Sequence, residues 1–99
     1  MNKLTWFELL EAYAGRARVR STYENDSVDR NLGMGAVARK LVVRRASKEE
    51  VVTTLRDEAG KRGALQRIYE PADNTWPFAQ GMTHQDIIDM IEQAPEQTE

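Results

Sequence analysis

The chain has 99 residues, of which 40% are hydrophobic and 30% are charged, a size that accommodates one compact domain and excludes two. It contains no cysteine, which excludes disulfides, thiolate catalysis and cysteine-based zinc sites. The net charge is only −2, and no apolar run approaches the ~20 residues that a membrane span needs. We therefore expect a cytoplasmic protein that has no contact with a membrane, with one domain at 1–94 and a disordered tail at 95–99.

The first predicted element is a helix from about residue 6 to residue 14. Thr5 and Glu8 have the spacing of a capping box, and apolar residues follow at helical intervals, namely Trp6, Leu9, Leu10 and Tyr13. Gly15 would end this helix. Basic and small residues then alternate over 16–23, which predicts a strand, although the helix could instead continue through Gly15 at some loss of stability.

The central part of the chain contains a turn-rich connection at 24–35 and then an ambiguous segment at 36–45. The β-branched run in this segment favours a strand, whereas the spacing of Val37 and Leu41 fits a helix. Ser47 and Glu50 form a second capping pattern, which predicts a helix of about twelve residues that stops at Gly60.

The last third contains a short predicted strand at 64–70, which Pro71 would end, and a loop at 71–82. Thr83 and Asp86 form a third capping pattern, and a final helix should extend to about Ala94.

These elements predict a small α+β domain in the order helix, strand, strand, helix, strand, helix. The segment 37–70 would be a strand-helix-strand unit with parallel strands and a right-handed crossover. If 16–23 and 36–45 are helical instead, the domain is an all-α bundle.

The sequence contains few groups that could act in catalysis, and it predicts a protein that is not an enzyme. His84 is the only histidine, and we expect it to be exposed or to take part in capping. The carboxylates around Glu49 and Asp57 have the spacing of a solvated helix face. Gly33 and Gly35 lack the remaining residues of a phosphate-binding loop. No catalytic residue, metal or cofactor is predicted.

The uneven distribution of charge points to nucleic acid. Residues 16–67 carry thirteen basic side chains against seven acidic ones, and residues 68–99 carry seven acidic and no basic side chains. Most of the basic residues are arginine, whose planar fork suits phosphate. We therefore predict a regulatory or accessory protein that binds DNA or RNA through a basic face formed by Arg16, Arg18, Arg20, Arg39, Lys40, Arg44 and Arg45. The competing explanation is that the acidic C-terminal helix packs on the basic segment.

Two further interpretations remain open. The segment from Val37 to Val43 and the capped helix after it are similar to a helix-turn-helix, although Val42 replaces the glycine usual in the turn. Alternatively, the chain is an inhibitor or adaptor that binds a protein partner through Trp76, Phe78 and the acidic last helix. Both aromatic residues could equally cover the edge of the core.

Overall fold

The computed structural model describes residues 4–14, 33–69, 77–79 and 81–96. Within these ranges the chain forms four helices, which we label α1 (residues 6–14), α2 (Met34–Val43), α3 (Lys48–Lys61) and α4 (His84–Gln93). α3 packs against both α2 and α4. None of the helices in the described ranges is long and apolar enough to cross a membrane.

The capping signals correctly located the starts of three helices. At α1, Thr5 N donates to Glu8 Oε1 at 2.9 Å and Glu8 N donates to Thr5 Oγ1 at 3.1 Å. Thr83 and Asp86 form the same reciprocal pair at α4. At α3, the Ser47 hydroxyl accepts from Glu50 N at 3.2 Å. Each side chain satisfies a backbone N–H group that has no partner within its own helix.

The predicted α+β class is wrong, because the described residues form a helical bundle rather than a sheet packed with helices. The predicted strand at 36–45 is largely α2. Met34, Ala38 and Leu41 are buried on one side of this helix, whereas Val43 is 76% exposed. Burial of a helical face against α3 thus outweighs the β propensity of three valines, which depends strongly on context. The alternative of an all-α bundle describes these residues correctly.

The predicted strand at 64–70 is also wrong over its described part, 64–69. A turn brings Arg67 N to Ala64 O, and the only pairing within the described ranges is an isolated antiparallel bridge between Ile68 and Thr83. The parallel strand-helix-strand unit is therefore absent from this part of the chain. The predicted strand at 16–23 lies outside the described residues.

Both α2 and α3 end in a Schellman motif. After α3, Gly63 N donates to Gly60 O and Ala64 N donates to Ala59 O, with Gly63 in the left-handed region at φ 66°. After α2, Arg45 N donates to Val42 O and Ala46 N donates to Leu41 O. Here the left-handed position at φ 53° is occupied by Arg45, although glycine is the usual residue at such a position.

A single cluster of buried apolar residues joins the four helices. Its fully enclosed members come from α1, α2, α3, α4 and the segment before α4, and they include Leu10, Tyr13, Leu41, Val51, Leu55, Phe78, Ile87, Ile88 and Ile91. Residues 95 and 96, which we expected in a disordered tail, contact α1. Trp6 N donates to Pro95 O at 3.1 Å, and Trp6 Nε1 donates to Glu96 Oε1 at 3.3 Å.

Candidate nucleic-acid interface

Four of the seven predicted nucleic-acid-binding residues lie together at the C-terminal end of α2. Because Ala38 and Leu41 point into the core, Arg39 and Lys40 project from the opposite side of the helix. Arg39 and Lys40 lie in the last turns of α2, and Arg44 and Arg45 follow directly after its last residue, Val43. We call this surface the basic end, and it comprises Arg39, Lys40, Arg44 and Arg45, all of which are exposed. Arg16, Arg18 and Arg20 lie outside the described residues.

The members of the basic end differ in how far other groups engage them. Arg44 pairs with Glu50 at 2.6 Å, but both side chains are about half exposed, so water and salt weaken the attraction. The guanidinium of Arg45 lies 5.9 Å from the ring centroid of Phe7. Arg39 and Lys40 form no ion pair with any residue in the described part of the chain. Within the basic end, these two cations are therefore the most available for an external anion.

The basic residues of α3 are engaged within the molecule instead. Arg56 Nη2 contacts Asp89 at 2.7 Å and Glu92 at 2.6 Å, which links α3 to the acidic α4. The hydrogen bonds that Arg56 donates, first to Glu92 and then to Asp89, raise the pKa of Arg56, and Arg56 in turn lowers the pKa of Glu92. Lys48 Nζ also donates to the carbonyl of Ala94 at 2.9 Å. The acidic last helix thus packs on part of the basic segment, as the competing explanation of the charge pattern requires.

Lys61, the last residue of α3, and Arg62, which follows it, pair with carboxylates one helical turn earlier. Lys61 lies 3.3 Å from Asp57, and Arg62 lies 3.1 Å from Glu58, both at an i,i+4 spacing. The basic surface that remains is consequently smaller than the charge of residues 16–67 suggests. In the described ranges it consists of the basic end and of Arg67, which is exposed before α4.

A groove of about 230 Å³ lies between α2 and α3, beside the basic end. One wall comes from α2, and the other comes from α3 and the residue after it. The lining residues are Val37, Lys40, Leu41, Thr54, Glu58 and Arg62. Lys40 belongs both to this groove and to the basic end. No pattern in the sequence predicts the groove, because it depends on how α2 and α3 pack.

His84 is half-buried in an aromatic cluster rather than exposed. Tyr13 OH and His84 Nδ1 are 2.5 Å apart, and the rings of Tyr69 and Phe78 complete the cluster. Burial, followed by the positive charge of Arg67, lowers the pKa of His84. Burial also raises the pKa of Tyr13. A neutral imidazole can therefore accept the phenol proton in a hydrogen bond that links α1 to α4.

The same cluster bears on the protein-binding alternative. Phe78 is only 2% exposed and packs against Tyr13 and Tyr69, so it lies in the core and is not available as a surface anchor. Asp89 and Glu92 of the acidic helix already contact Arg56. Trp76 lies outside the described residues.

Within the described ranges, no group of three or more histidine, aspartate and glutamate side chains converges in a way that could hold a metal ion. No protein-family model matches this chain, and comparison with curated proteins and with solved structures also gives no match.

Proposed function

We propose that this chain is a small non-enzymatic binding protein that associates with nucleic acid through the basic end. The observation that carries the proposal is the exposure of Arg39 and Lys40 beside Arg44 and Arg45, with no carboxylate paired to the first two in the described part of the chain. Phosphate is the anion that such a cluster suits, because guanidinium groups bind it in two places and each contact releases counterions.

The backbone of Arg45 provides independent support. A residue with a β-carbon in the left-handed region costs about 1–2 kcal/mol relative to a relaxed conformation, and the α3 terminus places glycine at the equivalent position. The cation–π contact between Arg45 and Phe7, at an exposed site, offsets about 0.5–1 kcal/mol of this conformational cost. Since stability alone favours glycine here, a basic side chain at this position is consistent with a role in binding.

The test is fluorescence anisotropy of a labelled oligonucleotide with the wild-type chain over a range of salt concentrations. If all four basic side chains contact phosphate, log affinity should fall with log salt at a slope of about −2.8 for a single strand or about −3.6 for a duplex. Contacts from Arg16, Arg18 and Arg20 would steepen this slope.

Two matched variants locate the surface. Lys40→Ala should weaken binding and reduce the salt slope by about 0.7–0.9, the contribution of one phosphate contact. Lys61→Ala removes the same charge from the far end of α3 and should leave the slope unchanged. No binding by the wild-type chain at 50 mM salt would overturn the proposal, and so would equal effects of the two variants.

A further inference from the structure

The second helix of the α2–turn–α3 unit is unsuited to enter a groove of a nucleic-acid duplex, although the unit has the order of a helix-turn-helix. In such motifs the first turn of the second helix enters the major groove. Here that turn carries Glu49 and Glu50, both exposed, and Asp57 is exposed further along α3. The phosphates that border a groove would repel these carboxylates. A helix of this unit that enters a groove must therefore be α2.

α2 contains no acidic residue, and the middle of its exposed side is apolar. Successive residues of an α-helix are rotated by about 100°, so Val43 lies about 180° around the axis from the buried Met34. Val43 is 76% exposed. Ala36, nearly two turns earlier, lies within about 20° of Val43 around the axis. These two short side chains form an uncharged line along the exposed side, which we call the apolar ridge.

Cations lie on both sides of the apolar ridge. Arg39 is four residues before Val43, which places it about 40° to one side of the ridge. Lys40 is three residues before Val43, which places it about 60° to the other side, and Arg44 follows α2 on the side of Lys40. A single strand presents one row of phosphates, whereas two rows border a groove of a duplex. Positive charge on both flanks of an uncharged ridge therefore matches a groove better than it matches a single strand.

The width of a helix determines which groove can receive α2. An α-helix with its side chains is about 10–12 Å wide, and the major groove of B-form DNA is about 12 Å wide, whereas the minor groove is only about 6 Å wide. The major groove of a duplex RNA is too narrow and deep for protein side chains to read.

We infer that the nucleic acid bound at the basic end is duplex DNA and that α2 lies in its major groove. Val43 then faces the edges of the bases, and Arg39 and Lys40 contact phosphates of opposite strands. This inference rests on the proposed function and specifies the class of nucleic acid and the helix that contacts it.

A duplex with a filled major groove tests the inference with the wild-type chain. The probes are labelled DNA duplexes of one sequence whose cytosines carry either a 5-hydroxymethyl group or the same group with glucose attached. Substituents at this position project into the major groove, and glucose is uncharged, so the attraction of the phosphates is the same in both probes. Anisotropy should show about tenfold or more weaker binding of the glucosylated duplex, because forcing α2 against the sugar is a steric clash. A single strand and an RNA duplex of the same sequence should also bind more weakly than the DNA duplex without glucose.

Two exposed positions provide a matched test on the protein. Val43→Trp puts an indole on the apolar ridge, and Thr53→Trp puts the same side chain on α3, where position 53 is also exposed. The first variant should hold α2 away from the base edges and weaken the binding of duplex DNA about tenfold, whereas the second should change it less than about twofold. Val43→Trp should not weaken the binding of a single strand, because an indole on the surface offers a base a stacking partner. Circular dichroism checks that both variants keep the wild-type helix content.

The outcomes separate the inference from the proposed function. If the two cytosine-modified duplexes bind equally well while Lys40→Ala still weakens both, the inference is overturned and the proposed function stands. Equal effects of the two tryptophan variants on duplex binding would overturn the assignment to α2, and a preference for the single strand or the RNA duplex would overturn the class of nucleic acid. If the wild-type chain binds none of these nucleic acids, the proposed function fails.

Discussion

Phe78 allows the sharpest test of how this core is built, because the sequence left open whether it is a core residue or an exposed anchor. It is 2% exposed, and its ring meets those of Tyr13 and Tyr69 edge-to-face at centroid distances of 6.3 and 5.6 Å. Phe78→Ala should therefore reduce the free energy of unfolding by about 3–5 kcal/mol, the usual range for truncation of a buried phenylalanine.

The aromatic contacts account for a separable part of this loss. Each edge-to-face pair contributes about 0.5–1.5 kcal/mol beyond the burial of apolar area. Phe78→Leu keeps most of the buried apolar volume and loses both pairs, so we expect it to lower the free energy of unfolding by about 1–3 kcal/mol. The two substitutions together thus distinguish the filling of space from the interaction of rings.

Urea denaturation followed by circular dichroism measures both effects. A chain of this length has a total stability of about 5–15 kcal/mol, so the alanine variant should show a large fall in its denaturation midpoint. Val43→Ala is the matched control, because Val43 is 76% exposed and its truncation should change stability by less than about 0.5 kcal/mol. A loss below about 1 kcal/mol in Phe78→Ala would refute the core assignment. Unchanged nucleic-acid affinity in Phe78→Leu would further separate this core position from the basic end.

Three further predictions concern the helix contacts. Because the pKa of His84 is lowered in the fold, the unfolded chain binds a proton at this residue more readily than the folded chain does. The free energy of unfolding should therefore fall as the pH decreases from about 6.5 to the lowered pKa, by at most about 1.4 kcal/mol per pH unit. Urea titrations between pH 7 and pH 5 check this, and His84→Gln should flatten the profile. Thr83→Ala removes half of the capping box and should destabilise the protein by about 1 kcal/mol in the same assay. Arg56→Ala should raise the pKa of Glu92 towards its ordinary value, as measured by NMR titration of the carboxyl carbon.

The starts of helices were the most predictable part of this structure. Thr5, Ser47 and Thr83 each precede an acidic residue by three positions, and the structure shows the corresponding hydrogen bonds to the helix backbone. These contacts form between residues close in sequence, so their geometry depends little on the rest of the fold. Local signals of this kind carry most of what a single sequence reveals.

The state of α2 could not be decided in the same way. Gly33 gives no side-chain cap, and three valines favour a strand. The deciding contribution is the packing of Ala38 and Leu41 against α3, which no local pattern displays. The Tyr13–His84 hydrogen bond was missed for the same reason, because 71 positions separate the two residues and each alone fits an ordinary helix.

The distribution of charge shows why a sum along the sequence is a poor measure of a binding surface. Residues 16–67 have an excess of six positive charges, yet Arg56, Lys61 and Arg62 all contact carboxylates within the fold. What determines the local potential is whether a cation has a nearby counter-charge and remains accessible to solvent. By that criterion Arg39 and Lys40 contribute more to the positive potential of the surface than the more numerous basic residues on α3 do. A binding assay that compares Lys40→Ala with Lys61→Ala therefore tests the arrangement of charge in the fold, since the two variants have the same net charge.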